Sequence, residues 1–258
     1  MGKLRHIAFI SEEPKKLSDF YQKYFGLEEC KVFPSGSRMV IDPLFNLAFL
    51  KSRGDQAGPV VGTHRADGAE VERTPGIHHY GFMVDDLEQA VSKLPPTLKR
   101  GDSPQVSAGV GGSEGARPAE VRFIDPWGNN VDLSSRGFLG REEKRLPGVR
   151  LVVVQVANPD DACEFYKSQF DLEVLGRDSD GTLRLSDGTV TLLLTKEQTR
   201  PKSGIQYFGI QVNDLSAVRK NLQDGGVEIF PVGDTSGQIR FNDPEGNRVV
   251  VSENGWAR

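Results

Sequence analysis

The chain has 258 residues and a formal net charge of −4, with 37% hydrophobic and 26% charged residues. This composition is typical of a globular protein, and the length is sufficient for one or two domains. The acidic balance gives no electrostatic basis for binding nucleic acid or an anionic membrane. No apolar run approaches the roughly 20 residues that a membrane-spanning helix requires.

Cysteine usage and the N-terminus bear on the compartment. The two cysteines, Cys30 and Cys163, are too few for a disulfide framework or a cysteine-based zinc site. The first residues lead directly into a strand pattern, without the apolar segment of a signal peptide. We therefore expect a cytoplasmic protein whose thiols are buried packing groups.

The first predicted elements are a strand over residues 6–10 and an amphipathic helix that begins at Pro14. Apolar residues recur on one face of this helix at Leu17, Phe20, Tyr21, Tyr24 and Phe25. Residues 162–172 repeat this helix, with a strand over residues 151–156 ahead of it. The chain therefore contains two copies of a strand–helix unit.

Two further segments are also repeated. Residues 76–87 parallel residues 204–215, and in each copy an aspartate, Asp86 or Asp214, is placed to cap a helix. Residues 122–134 parallel residues 240–252, and both contain an Asp-Pro-x-Gly-Asn sequence that predicts a hairpin turn. The repeats predict an α+β fold in which a βαβββ module is written four times.

The modules define two predicted domains. Modules over residues 1–52 and 76–136 form the first domain, and modules over residues 148–197 and 204–258 form the second. A charged segment over residues 137–147 is the predicted linker. The second module also contains a Gly- and Ser-rich insertion over residues 101–115, for which a flap over a pocket and an ordinary surface loop are both open interpretations.

With its repeats set out, the sequence resembles the vicinal oxygen chelate superfamily, which includes glyoxalase I, extradiol dioxygenases and bleomycin-resistance proteins. The markers are the strand that carries a histidine, the Asp-Phe-Tyr or Glu-Phe-Tyr helix and the Asp-Pro-x-Gly-Asn turn. The resemblance covers nearly the whole chain. It implies that paired βαβββ modules form an open curved β-barrel with the functional site in its cleft, and it allows a homodimer.

In that superfamily the first and last strands of each module supply the metal ligands. Carried over to this chain, the resemblance implies that His6, His79 and Asp132 bind the metal. Matching the Asp-Pro of module 1 to that of module 2 places Phe49 at the fourth position, where it would line the substrate site. A shift of one residue would place Ala48 there instead, and neither side chain binds a metal.

Two neutral imidazoles and one carboxylate form a set suited to non-haem Fe(II), with Mn(II), Zn(II) and Ni(II) as alternatives. Alternation along the strand predicts that the neighbouring His78 points away from this set. The second half serves as an internal comparison, because Leu151, Tyr207 and Val250 replace the three ligands together. That half is expected to bind no metal in this way.

Two other residues are weaker candidates. Arg122 could hold a substrate oxygen, but Arg240 occupies the matching place in the second half, which favours a structural ion pair. His64 lies in the segment between modules 1 and 2. It could act as an acid–base group if that segment folded over the site.

Three functions follow from the resemblance, all with a small-molecule substrate. The vacant fourth position favours an extradiol-type dioxygenase, although those enzymes use Glu where this chain has Asp132 and usually hold the metal in their second domain. A glyoxalase- or epimerase-like lyase or isomerase is the first alternative, and it would usually have a carboxylate where Phe49 is placed. A non-catalytic binding protein is the second alternative, which the presence of all three ligands disfavours.

Overall fold

The computed structural model describes residues 1–52, 75–98, 121–141, 143–196, 204–233 and 237–256. The two predicted halves each build one open sheet, and helices pack on one side of each. The helices and strands of the first half are β1 (Lys3–Ser11), α1 (Pro14–Phe25), β2 (Glu28–Val32), β3 (Arg38–Ile41), β4 (Asn46–Lys51), β5 (Gly76–Met83), α2 (Leu87–Lys93), β6 (Val121–Ile124) and β7 (Asn130–Ser134). A short 3-10 helix follows α2 at Pro96–Leu98.

Among the described residues, the second half repeats this order and has one more strand after its last helix. Its helices and strands are β8 (Gly148–Val156), α3 (Pro159–Phe170), β9 (Glu173–Arg177), β10 (Leu183–Ser186), β11 (Thr191–Lys196), β12 (Gly204–Gln211), α4 (Leu215–Asp224), β13 (Ile229–Pro231), β14 (Gln238–Asn242) and β15 (Arg248–Ser252). The predicted α+β fold of repeated modules is confirmed. None of the helices in the described part of the chain is long and apolar enough to cross a membrane.

The helix ends follow from local chemistry. Helices α1 and α3 begin with proline, whose missing N–H costs little in the first turn. Gly26 ends α1 in the left-handed conformation that glycine adopts without steric cost. The side chain of Asp86 accepts a hydrogen bond from the backbone N–H of Gln89, as the sequence predicted for a helix cap.

The first strands of paired modules lie side by side at the centre of each sheet. The first sheet has the order β2-β3-β4-β1-β5-β7-β6, and the second has the order β13-β14-β15-β12-β8-β11-β10-β9. β1 pairs with β5 antiparallel, while β4 and β7 flank them in parallel pairings. The strands predicted to carry ligands are therefore neighbours, and their side chains share one face of the sheet.

The turn before the last strand differs in length between the modules. In module 1 the N–H of Asp42 donates to the carbonyl of Phe45, whereas in module 2 the N–H of Asp125 donates to the carbonyl of Asn129, one residue further along. Asn46 therefore pairs with His6 as Asn130 pairs with His79.

The shorter turn decides which residue occupies the fourth position. Ala48 takes the place of Asp132, so the placement of Phe49 there was wrong by one residue. The buried ring of Phe49 instead packs against Phe9 and Tyr21 on the helix side of the sheet. Phe49 therefore does not line the ligand face.

The two halves share one hydrophobic core on their helix sides, which includes Phe9, Phe49, Phe208 and Phe241 among many others. Reciprocal polar contacts also join the halves. Arg5 Nη1 lies 2.6 Å from Asp187 Oδ2, and its counterpart Arg150 Nη1 lies 3.4 Å from Asp42 Oδ2.

A second pair of contacts repeats this reciprocity. The hydroxyl of Tyr21 donates to Asp243 at 2.9 Å, and the hydroxyl of its counterpart Tyr166 donates to Asp125. These side chains are buried. The halves are therefore related by an approximate internal two-fold symmetry.

Candidate metal centre

Three predicted ligands converge on the face of the first sheet opposite the helices. His6 on β1, His79 on β5 and Asp132 on β7 are each no more than 4% exposed, and each offers a ligand atom within 4.8 Å of the other two. The Nε2 atom of His79 lies 3.3 Å from His6 Nε2 and 3.2 Å from Asp132 Oδ2. The structure thus brings together the residues that the sequence selected as a set.

These spacings fit a shared cation. Neighbouring ligand atoms of a six-coordinate ion with bonds of about 2.1 Å lie about 3 Å apart. Two imidazole nitrogens and one carboxylate oxygen on the same side form the facial arrangement that non-haem Fe(II) enzymes use. At the fourth strand position, Ala48 offers only a methyl group and supplies no further protein ligand.

Hydrogen bonds to the far side of His6 prepare its ring for a metal. The Nδ1 atom of His6 lies 2.8 Å from Asn46 Oδ1, and the Asn46 amide nitrogen lies 3.4 Å from the carbonyl oxygen of Val40. Because the amide nitrogen is directed to a carbonyl, its oxygen faces His6 and accepts the Nδ1 proton. The Nε2 lone pair of His6 is then directed into the cluster, as a metal ligand requires.

Burial keeps both imidazoles neutral. Burial, with a smaller effect of the neighbouring His79 in the same direction, lowers the pKa of His6 from 6.5 to about 3. Burial likewise lowers the pKa of His79, against the opposing effect of Asp132. At neutral pH each ring therefore has one nitrogen with a lone pair that can bind a cation.

Asp132 stays ionised for a different reason. Burial alone would raise its pKa, but the charge of Arg122 and the hydrogen bonds from Arg122 and His79 hold the pKa of Asp132 well below its usual value. Arg122 Nε lies 2.5 Å from Oδ1 and Nη2 lies 2.8 Å from Oδ2 of this carboxylate. The ion pair expected for Arg122 is therefore made with the site's own carboxylate.

The second half lacks this arrangement. Its register places Arg240 opposite Val250, just as Arg122 lies opposite Asp132. The guanidinium of Arg240 instead lies over the ring of Phe230, with 5.2 Å between its Cζ atom and the ring centroid. At this pair of positions, the two halves differ in the carboxylate and share the arginine.

Phe138 forms a wall of the cluster that sequence reasoning missed. Its ring stacks on His6 at a centroid distance of 4.6 Å and an interplanar angle of 4°. A Cβ atom added at Gly81 would lie 2.6 Å from this ring, so glycine is required beside it. Trp256 packs on Gly209 in the second half in the same way, so the repeat offered a signal for this contact. Phe138 was missed because it falls in the segment assigned to the linker.

The remaining sequence candidates are placed as follows. His64 and the insertion over residues 101–115 lie outside the described residues. His78 does not point away from His79, because the two Nδ1 atoms lie 2.8 Å apart. Strict strand alternation, from which the opposite orientation was predicted, is interrupted at this residue.

Comparisons with known proteins agree with the fold. Residues 148–251 match the family model described as the Glyoxalase/Bleomycin resistance protein/Dioxygenase superfamily. No curated protein gives a significant sequence match.

Similar solved structures include two 2,3-dioxygenases and a glyoxalase. The 2,3-dioxygenase LapB from Pseudomonas sp. KL28 has a TM-score of 0.66 and 14% identity over 98% of this chain and 92% of its own. The Mn(II)-bound glyoxalase from Novosphingobium aromaticivorans has a TM-score of 0.67 and 15% identity over 98% and 83%. A substrate complex of homoprotocatechuate 2,3-dioxygenase from Brevibacterium fuscum has a TM-score of 0.64 and 11% identity over 98% and 81%. At these identities the likeness establishes the fold.

Proposed function

We propose that the chain is a metal-dependent enzyme acting on a small oxygen-chelating substrate. The premise is that residues 148–251 match the model of the glyoxalase, bleomycin-resistance and dioxygenase superfamily and that the first half has the same fold. One observation carries the proposal. His6, His79 and Asp132 converge as two neutral imidazoles and one charged carboxylate, beside the methyl group of Ala48.

The donor set favours Fe(II), with Mn(II), Zn(II) or Ni(II) as alternatives. When bound, such an ion would act as a Lewis acid toward two neighbouring oxygens of a substrate. The chain's own contribution is to orient the ligands. Asn46 fixes the tautomer of His6, and Phe138 covers one side of its ring and excludes water there.

Arg122 places a positive charge beside the carboxylate of Asp132. Its Nη2 atom lies 2.8 Å from Asp132 Oδ2 and 3.4 Å from His79 Nε2. A cation that binds Oδ2 therefore competes with this guanidinium nitrogen. Once displaced from Oδ2, Nη2 would be available to hold an anionic oxygen of the substrate, while Nε remains on Oδ1.

Our first choice of reaction is extradiol-type ring cleavage with O2 as co-substrate. LapB and homoprotocatechuate 2,3-dioxygenase support this choice by their fold, and the alkyl side chain at the fourth position supports it by leaving space for two substrate oxygens and O2. For the acid–base group of such a reaction we propose His64, which lies outside the described residues.

A glyoxalase- or epimerase-like reaction is the second candidate, favoured by the similarity to the Mn(II)-bound glyoxalase. Such a reaction removes a proton next to a carbonyl and needs a base at the metal. Ala48 cannot provide one, which ranks this candidate second. A non-catalytic binding protein is the third, and it would not require three converging ligands.

The test is anaerobic loading with Fe(II), followed by O2-uptake measurements with a panel of catechols. We expect uptake with at least one catechol by the loaded protein and none by Asp132→Val, which installs the residue of the second half. Metal uptake without O2 consumption, but with hemithioacetal turnover or α-proton exchange, would favour the second candidate. A wild-type protein that takes up no Fe, Mn, Zn or Ni would contradict the metal centre.

A further inference from the structure

The strand that carries His79 contains a β-bulge at His78. β1 pairs Ala8 with His79 but pairs Phe9 with Ile77, so His78 is an extra residue in the ladder. A bulge breaks the alternation of side chains and redirects the extra residue. This explains how two consecutive residues of one strand have side chains in contact.

The bulge belongs to the fold, but the histidine does not. In the second half β8 pairs Val153 with Tyr207 and Val154 with Ile205, which places Gln206 at the equivalent bulge. A histidine at this point is therefore not required to form the bulge. It occurs in the half where the next residue is a metal-ligand candidate.

The contact between the two histidines is directional. Their Nδ1 atoms lie 2.8 Å apart, with the rings nearly perpendicular at 82°. A hydrogen bond between two neutral imidazole nitrogens contains one proton, so one ring donates from Nδ1 while the other accepts at Nδ1. The tautomers of His78 and His79 are thereby coupled.

We propose that His78 is a positioning residue for the metal centre, which fixes the tautomer of His79 by accepting its Nδ1 proton. The proposal rests on the proposed metal-dependent function. A metal at His79 Nε2 requires the proton of that ring to be on Nδ1, and the hydrogen-bond partner of this Nδ1 atom is His78 Nδ1. Asn46 fixes the tautomer of His6 in the same way.

A histidine can do more than the asparagine amide oxygen, because it can also donate. Without a metal, His79 Nε2 is 3.2 Å from Asp132 Oδ2, to which it can donate a proton, and His78 then donates to His79. When a metal binds, the proton of His79 moves from Nε2 to Nδ1, and that of His78 moves from Nδ1 to Nε2. Each ring keeps one proton, so the exchange balances without an external acid or base.

The experiment compares His78→Leu, which removes the acceptor, with His78→Gln, which retains an acceptor and is the residue of the second half. The affinity of chelator-treated protein for Mn(II) alone is measured by electron paramagnetic resonance. We expect affinity to fall by about 10–100-fold for His78→Leu and to stay within about threefold of wild type for His78→Gln. Thermal unfolding establishes that both variants are folded.

A second measurement does not depend on these variants. Nitrogen-15 NMR of the histidine rings, with and without Zn(II) as a diamagnetic probe, reports which nitrogen of each ring is protonated. We expect Zn(II) to move the proton of His78 to Nε2, although His78 does not bind the ion.

The outcomes separate this inference from the function it rests on. If wild type binds Mn(II) and His78→Leu binds it equally well, or if Zn(II) leaves the tautomer of His78 unchanged, the positioning role is overturned and the metal centre stands. If wild type binds neither Mn(II) nor Zn(II), the metal centre and the positioning role are both overturned.

Discussion

Acidification should destabilise the metal-free protein through His6, and the size of the effect follows from its burial. The ring is 4% exposed, and burial lowers its pKa from 6.5 to about 3. Between these two values the unfolded chain binds a proton that the folded chain does not, so the free energy of unfolding falls as the pH falls. A difference of one bound proton changes the free energy of unfolding by about 1.4 kcal/mol per pH unit, or by about 2 kcal/mol between pH 6.5 and about pH 5.

The matched variant is His6→Leu, because Leu151 occupies the equivalent strand position in the second half. Urea unfolding followed by circular dichroism, in buffers that contain a chelator, gives the free energy of unfolding at each pH. We expect the pH slope of the variant to be smaller by about one proton over this range, whatever its absolute stability. His79, whose pKa is also lowered by burial, keeps part of the slope in both proteins. Identical slopes in wild type and variant would refute the reasoning.

Three further substitutions test contacts of the cluster and a contact between the two halves. Asp132→Val should lower the free energy of unfolding by about 2–4 kcal/mol, because it leaves the largely buried guanidinium of Arg122 without its carboxylate. Adding Arg122→Leu should restore part of the lost stability. Urea unfolding of both variants tests this expectation. Gly81→Ala should lower the free energy of unfolding by about 1–3 kcal/mol, because the added methyl group clashes with Phe138. The melting temperature should recover clearly in the double variant that also has Phe138→Leu. Tyr21→Phe removes a buried hydrogen bond to a carboxylate of the other half and should cost about 1–3 kcal/mol in chemical denaturation.

The metal-ligand candidates could be selected from the sequence because the family resemblance assigns ligands to the first and last strands of each module, and the repeats locate those strands. His6 and His79 lie at equivalent positions of the first strands of their modules, and those strands pair at the centre of the sheet. The loss of all three candidates together at Leu151, Tyr207 and Val250 marked them as a set. The amphipathic helices and the cap at Asp86 were likewise predictable from local patterns.

What could not be predicted depends on single-residue differences in register. The shorter turn after Asp42 moved the fourth position from Phe49 to Ala48, and the two turns have different sequences although both begin with Asp-Pro. The bulge at His78 leaves no mark in the period of its strand. The stacking of Phe138 on His6 depends on the path of the chain after β7, which no periodic pattern determines.

The reciprocal contacts of Arg5 with Asp187 and of Arg150 with Asp42 have a consequence for how the protein responds to dilution. The two halves resemble the subunits of a symmetric dimer, but one chain joins them. The effective concentration of one half around the other is therefore roughly millimolar. Their association is therefore independent of protein concentration. A joined pair also permits specialisation: the second half can lose its ligands while still completing the core of the first, which two identical subunits could not do.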